Sequence, residues 1–224
     1  MSYLFKEREQ AGIKLAETLK IYSSRSDVIV LSISSRGVIT AYAIARSINA
    51  PLDLLMIKRL VSPHDHVSTL GALSSGGHHL LNETLIKEEG ISRQQVSEIE
   101  KQGREELARR EKLYRGMEPQ LNIRDHVVIL VDDGSHTGLS IEIAIASLLG
   151  QKPKEIIVAV PVISRENADK LTHASKVVSL LQFDSMPDRV SWYETDDNIN
   201  SEQIQELLAQ SREYKEKDFE IPAF

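Results

Sequence analysis

The sequence predicts an α/β protein with a parallel-sheet core flanked by helices, and three observations carry that reading. Five short apolar runs rich in Val, Ile and Leu recur along the 224 residues, and each has the length and composition of a strand buried on both faces. The runs alternate with segments of helical periodicity, the pattern of βα units joined into a parallel sheet. Several runs stop abruptly at small polar residues, and in such sheets ligands sit at the carboxyl ends of the strands.

Composition narrows the function. With 41% hydrophobic and 27% charged residues the chain is that of a soluble globular protein. Its length is enough for one substantial core, expected as a single domain over 1–224 with a small flap and hood. Cysteine is absent, which excludes disulfides, thiolate zinc sites and cysteine catalysis. The first nine residues lack the apolar core of a signal peptide, and no run approaches membrane-spanning length. A net charge of -6 argues against general nucleic-acid binding while leaving room for a local basic pocket. A cytoplasmic protein with neither nucleic-acid nor membrane partner is expected.

Taken in order, residues 6–21 form an amphipathic helix, with Ala11, Leu15 and Leu19 beside Ile13 and Ala16. Residues 27–33 are the first strand, and Ser34-Ser35-Arg36-Gly37 follows before a helix from Val38 to Ile48. Asn49-Ala50-Pro51 breaks that helix, and residues 52–57 form a strand ending in Lys58-Arg59. Periodicity fades over 60–80, which is expected to be a mobile flap with a hairpin near 70–81. Ser92 caps a charged helix to about Tyr114, a largely solvated cover. Residues 127–131 form the next strand, 139–149 a helix, 155–161 a strand, and 176–181 the fifth strand. Residues 183–197 are irregular and hold Trp192 and Tyr193, and 201–217 close with an amphipathic helix.

The strand at 127–131 gathers the chemistry. It runs into Asp132-Asp133-Gly134-Ser135-His136-Thr137-Gly138-Leu139-Ser140, where a helix begins. Strand, loop and helix N-terminus in succession offer free N–H groups and a favourable dipole to an anion. Gly134 and Gly138 permit close backbone approach, and Thr137 and Ser140 add hydroxyls. Paired carboxylates repel phosphate but suit neighbouring hydroxyls, as on a ribose, or a bound Mg²⁺. The local expectation is a sugar phosphate with its anionic end over the helix and its diol on the acids.

Asp132-Asp133-x-x-x-Thr137-Gly138-x-Ser140 after an apolar strand resembles the phosphoribosyl-pyrophosphate (PRPP) motif of the type I phosphoribosyltransferases. The nearest resemblance is to an uncharacterised bacterial group of predicted members, matched here by Ser35-Arg36-Gly37, Lys58-Arg59, the Gly71-Ala72 to Gly77 segment, Ala159-Val160-Pro161 and Trp192-Tyr193. The matches span about residues 10–205. The resemblance implies that Asp132 and Asp133 bind the ribose hydroxyls and Mg²⁺, and that Gly134 to Ser140 wrap the 5-phosphate. Ser35, Arg36 and Gly37 would form a pyrophosphate loop, often with a cis peptide at its start. Lys58 and Arg59 would begin the region that closes over the leaving group. Trp192 and Tyr193 are candidates for stacking on the acceptor, with core packing as the alternative. His136 is either an acid/base group, since its ordinary pKa lies near neutral, or a solvated loop side chain. The implied activity is Mg²⁺-dependent transfer of a 5-phosphoribosyl group between PRPP and a nitrogenous, nucleobase-like acceptor in a homodimer, with pyrophosphate released. The alternative is a non-catalytic PRPP or nucleotide sensor on the same fold.

Overall fold

The computed structural model describes residues 4–116, 118–134, 138–184, 192–195 and 198–216. Helix α1 (Arg8–Thr18) leads through a short 3-10 turn to β1 (Val28–Ser32), α2 (Gly37–Ile48) and β2 (Leu52–Leu54). A second sheet and two helices follow: β3 (Ile57–Val61), β4 (Thr69–Ser74), β5 (His79–Leu81), α3 (Glu83–Glu88) and α4 (Arg93–Arg115). The chain then returns through β6 (Val127–Val131), α5 (Leu139–Leu149), β7 (Glu155–Ser164), α6 (Arg165–Lys170), β8 (Lys176–Phe183) and α7 (Ser201–Glu216).

The main sheet has the order β2-β1-β6-β7-β8 and is parallel throughout. Alternation along each strand divides its residues between two cores. Val28, Val30, Val127, Ile129, Val131 and Ile157 pack with Leu15 of α1, Ile44 and Ile48 of α2, and Ile204 of α7. Ile29, Leu31, Val128, Leu130 and Val158 face the other way, onto Ile141, Ile145 and Leu148 of α5. This two-sided burial explains the unbroken apolar runs. Proline is tolerated at position 161 because β6 pairs with β7 only as far as Val131↔Ala159, while β8 continues alongside to Phe183. The missing N–H therefore costs no ladder bond to β6. Along α1, Ile13 is 43% exposed although it was expected on the buried side with Ala16. The stripe through Arg8, Ala11, Leu15 and Leu19 turns Ile13 toward solvent.

Residues 52–57 do not form one strand. β2 ends at Leu54 on the main sheet, and after Leu55-Met56 the chain enters β3 of a separate antiparallel sheet, ordered β3-β4-β5. About half of the expected flap is therefore sheet, and β4 with β5 forms the hairpin expected near 70–81. The link between Val61 and Thr69 is a loop, tied by Asp65 Oδ1, which accepts from Val67 N at 2.8 Å and Ser68 N at 2.9 Å, and a turn over 75–78 joins β4 to β5. The charged helix is α4, opened by a capping box between Ser92 and Gln95. Gly103 lets it approach closely: a Cβ there would stand 2.7 Å from Leu73 Cδ1. The far end of α4 is clasped to the main sheet, where Arg115 Nη2 donates to buried Asp53 Oδ1 at 2.9 Å and to the Leu54 carbonyl at 2.6 Å.

Candidate functional site

Two strand ends meet at the site. β1 and β6 are neighbours in register Ser32↔Val131, so the loops that follow them leave the sheet side by side. Ser34 joins them: its hydroxyl donates to Asp132 Oδ1 at 2.8 Å, and its oxygen accepts from Gly37 N at 3.0 Å. Gly37 is needed for this fit, because a Cβ there would lie 2.8 Å from Ser34 Oγ and 3.5 Å from Asp132 Cα. Asp132 Oδ1 also accepts from Asp133 N at 3.0 Å. A cleft of about 160 Å³ opens above this network, lined by Ile33, Ser34, Ser35, Met56, Ile57, Asp132, Ser140 and Arg110 of α4.

The two acids differ in environment. Asp132 is 8% exposed, and burial, then the charge of Asp133, pushes its pKa up to about 8. Asp133 Oδ2 instead accepts from Arg8 Nε at 2.8 Å. Two adjacent carboxylates fit a Mg²⁺ that retains waters and shares substrate phosphates. An ion beside Asp132 would also relieve the cost of ionising a buried acid. Among the described residues no group of three His, Asp or Glu side chains could hold a metal ion.

Beneath the acids lies an aromatic floor. Tyr193 OH donates to the Asp133 carbonyl at 2.6 Å, and the Arg8 guanidinium sits 4.5 Å from the centre of the same ring. Burial raises the phenol's pKa well above its usual value, so it remains a proton donor in this bond. Trp192 covers Gly134 so closely that a Cβ on the glycine would come 1.9 Å from Cζ3. The N-terminal segment holds both aromatics: Phe5 N donates to the Trp192 carbonyl at 2.9 Å, and Glu194 N to the Phe5 carbonyl at 3.0 Å.

Of the residues expected in the site, Asp132, Asp133, Gly134, Ser35, Gly37 and Ser140 come together. Gly138 opens α5 with φ 73, and Leu139 follows in its first turn. Ser135, His136 and Thr137 lie outside the described residues. Arg36 is exposed at the N-cap of α2, and the Ser35–Arg36 peptide is trans, contrary to the expected cis bond. Lys58 and Arg59 do not line the Asp132 cleft, although Ile57, where β3 begins, does. They line a separate space of about 260 Å³ with Val61, Pro63 and His66, and Lys58 Nζ lies 2.6 Å from Glu106. Tyr193 is buried, with its hydroxyl engaged by backbone, whereas Trp192 is only half-buried.

Sequence reasoning missed Arg8, Ser34 and Arg110. Arg8 and Arg110 each carried a signal: Arg8 continues the buried stripe of α1, and Arg110 follows Leu107 by three residues on α4. A larger cleft of about 450 Å³ lies between α4 and α7, but its arginines are already paired, Arg115 with Asp53 and Arg212 with Glu118.

The family model of the phosphoribosyl transferase domain matches residues 4–195, and the chain belongs to that family. Two Mycobacterium tuberculosis strains carry proteins named "Putative phosphoribosyl transferase" that are 28% identical over 159 residues. That match covers 71% of this chain but only 36% of the relatives' length. Among solved structures, TT1426 of Thermus thermophilus shares 27% identity with a TM-score of 0.72, covering 92% of this chain and 98% of its own. Among the described residues no helix is long and apolar enough to cross a membrane.

Proposed function

We propose that the chain transfers a 5-phosphoribosyl group between PRPP and a nitrogenous, nucleobase-like acceptor, releasing pyrophosphate. The observation that carries this reading is the Ser34 bridge, which fixes the loop after β1 against Asp132 at the mouth of β6. Asp132 and Asp133 accept hydrogen bonds from the ribose hydroxyls, and the segment Gly134 to Ser140 receives the 5-phosphate at the start of α5. Ser35, Arg36 and Gly37 face the pyrophosphate. A bound Mg²⁺, held by Asp132 and Asp133 together with substrate oxygens, would supply charge stabilisation on the leaving group.

In the transfer the acceptor nitrogen donates its lone pair to the ribose C1. The bond from C1 to the pyrophosphate oxygen breaks, and its electrons leave with pyrophosphate. His136 is the candidate to take the acceptor's proton. Trp192 offers a stacking face to the acceptor, while Tyr193 acts from below by holding the Asp133 carbonyl. Holding both substrates together supplies much of the rate, and a closed site excludes water from C1. A homodimer and a cytoplasmic setting complete the reading, both drawn from the family resemblance.

Pyrophosphate release from PRPP and Mg²⁺ with a panel of bases tests the proposal, and turnover with at least one base is expected. The sensor reading draws on the Arg8–Asp133 pair, which already occupies one acid in the absence of ligand. PRPP binding without turnover on any base would favour the sensor. Neither binding nor turnover would remove both.

A further inference from the structure

This inference rests on the transferase reading and extends it to a residue outside the strand-end loops. Arg110 reaches the Asp132 cleft from α4, yet its Nη2 is held 2.5 Å from Glu106 Oε1. The other oxygen, Glu106 Oε2, takes the ammonium of Lys58 on β3 at 2.6 Å. One carboxylate thus bridges cations from two elements that flank the site. The Lys58 hydrogen bond holds the Glu106 carboxyl below its usual range, so Glu106 remains charged and keeps both partners at neutral pH.

A solvated (i, i+4) pair on a helix contributes little to stability, and on an ordinary surface Glu106–Arg110 would need no further account. Here, however, one of its members lines the candidate ligand cleft. The Arg110 side chain is 47% exposed and that of Lys58 34%, so both can leave Glu106 without opening the core. A diphosphate offers more anionic oxygens than a carboxylate, and a planar guanidinium matches them bidentately.

We propose that Arg110 binds the diphosphate end of the substrate, and that Glu106 holds Arg110 and Lys58 until diphosphate displaces it. Arg110 touches the leaving group and stabilises charge as it develops there. Glu106 is a positioning residue that acts through the two cations.

Calorimetric titration of the full chain with inorganic pyrophosphate and Mg²⁺, and separately with ribose 5-phosphate, tests this. Arg110→Gln is expected to weaken pyrophosphate binding about ten- to a hundredfold, the loss of a charge-assisted contact. Arg110→Lys should recover part of it. Glu106→Gln should strengthen pyrophosphate binding severalfold, because an amide competes less well for the cations. All three variants should bind ribose 5-phosphate as the wild type does, which also shows that they are folded. Wild-type pyrophosphate affinity in Arg110→Gln, or no pyrophosphate binding by a wild type that binds ribose 5-phosphate, would overturn this inference alone. Unchanged or weaker pyrophosphate binding in Glu106→Gln would overturn the displacement by Glu106. A wild-type chain that binds neither compound would remove the transferase reading, and this inference with it.

Discussion

Arg8 and Asp133 stand 125 positions apart in the chain, yet Arg8 Nε donates to Asp133 Oδ2 at 2.8 Å. The pair ties the first turn of α1 to the loop after β6, and the side chains are only 6% and 18% exposed. Arg8→Met would keep the aliphatic stem while leaving a largely buried carboxylate without its cation. Chemical denaturation at neutral pH should show a loss of about 2 kcal/mol, with Arg8→Lys recovering part. An unchanged midpoint would mean that the pair does not hold the loop.

The second prediction concerns pH. The folded pKa of Asp132, about 8, lies above its ordinary 3.8, so the protonated acid favours the folded state. That contribution is complete below about pH 4 and is lost as pH rises through about 8. Asp132→Asn cannot ionise, so its melting temperature should gain on the wild type between about pH 5 and pH 9, by about 4 °C or more. A gap that stays constant over this range would contradict the buried-acid account. Mg²⁺-dependent PRPP affinity should rise with pH over the same window, because a metal requires the deprotonated carboxylate.

At Gly134 the backbone has φ 135, and Trp192 occupies the space a side chain would need. Gly134→Ala should cost about 2 kcal/mol or more and abolish PRPP binding. Adding Trp192→Leu should return part of the stability by removing the clash while the backbone strain remains. Full wild-type binding in Gly134→Ala would show that the close packing of this turn is dispensable.

The parallel sheet was legible because strands buried on both faces must be continuously apolar, and β1, β6 and β7 follow those runs; β8 follows its run too, but as the edge strand it is largely uncovered, with Val178 its one buried residue. The passage from β2 to β3 was not, since an apolar run carries no mark where the chain leaves one sheet for another. Lys58 and Arg59 were therefore expected at a strand end of the core and lie in the second sheet instead. In the site, the acids and glycines could be read from local spacing. The contacts that organise them, Ser34 with Asp132 and Arg8 with Asp133, depend on strand order and on the docking of α1. Arg110 escaped notice because a highly charged helix reads as solvated all round until its buried stripe is seen to lead into the cleft.

The clasp between α4 and the main sheet gives a further prediction. Asp53 is fully buried, and it accepts from Arg115 Nε at 3.1 Å and Nη2 at 2.9 Å and from Leu121 N at 2.7 Å. Arg115→Ala would strand that carboxylate and should cost about 3–5 kcal/mol in denaturant unfolding. A cost below about 1 kcal/mol would show that α4 is held chiefly by its apolar stripe.

The most direct measurement of the central claim is calorimetric binding of PRPP with Mg²⁺ to the wild type and to Asp132→Asn/Asp133→Asn. The account predicts that the wild type binds and that the double variant, still folded, loses at least about tenfold in affinity, or about 1.4 kcal/mol. Equal affinity in the two proteins would contradict the assignment of the ribose to this acid pair.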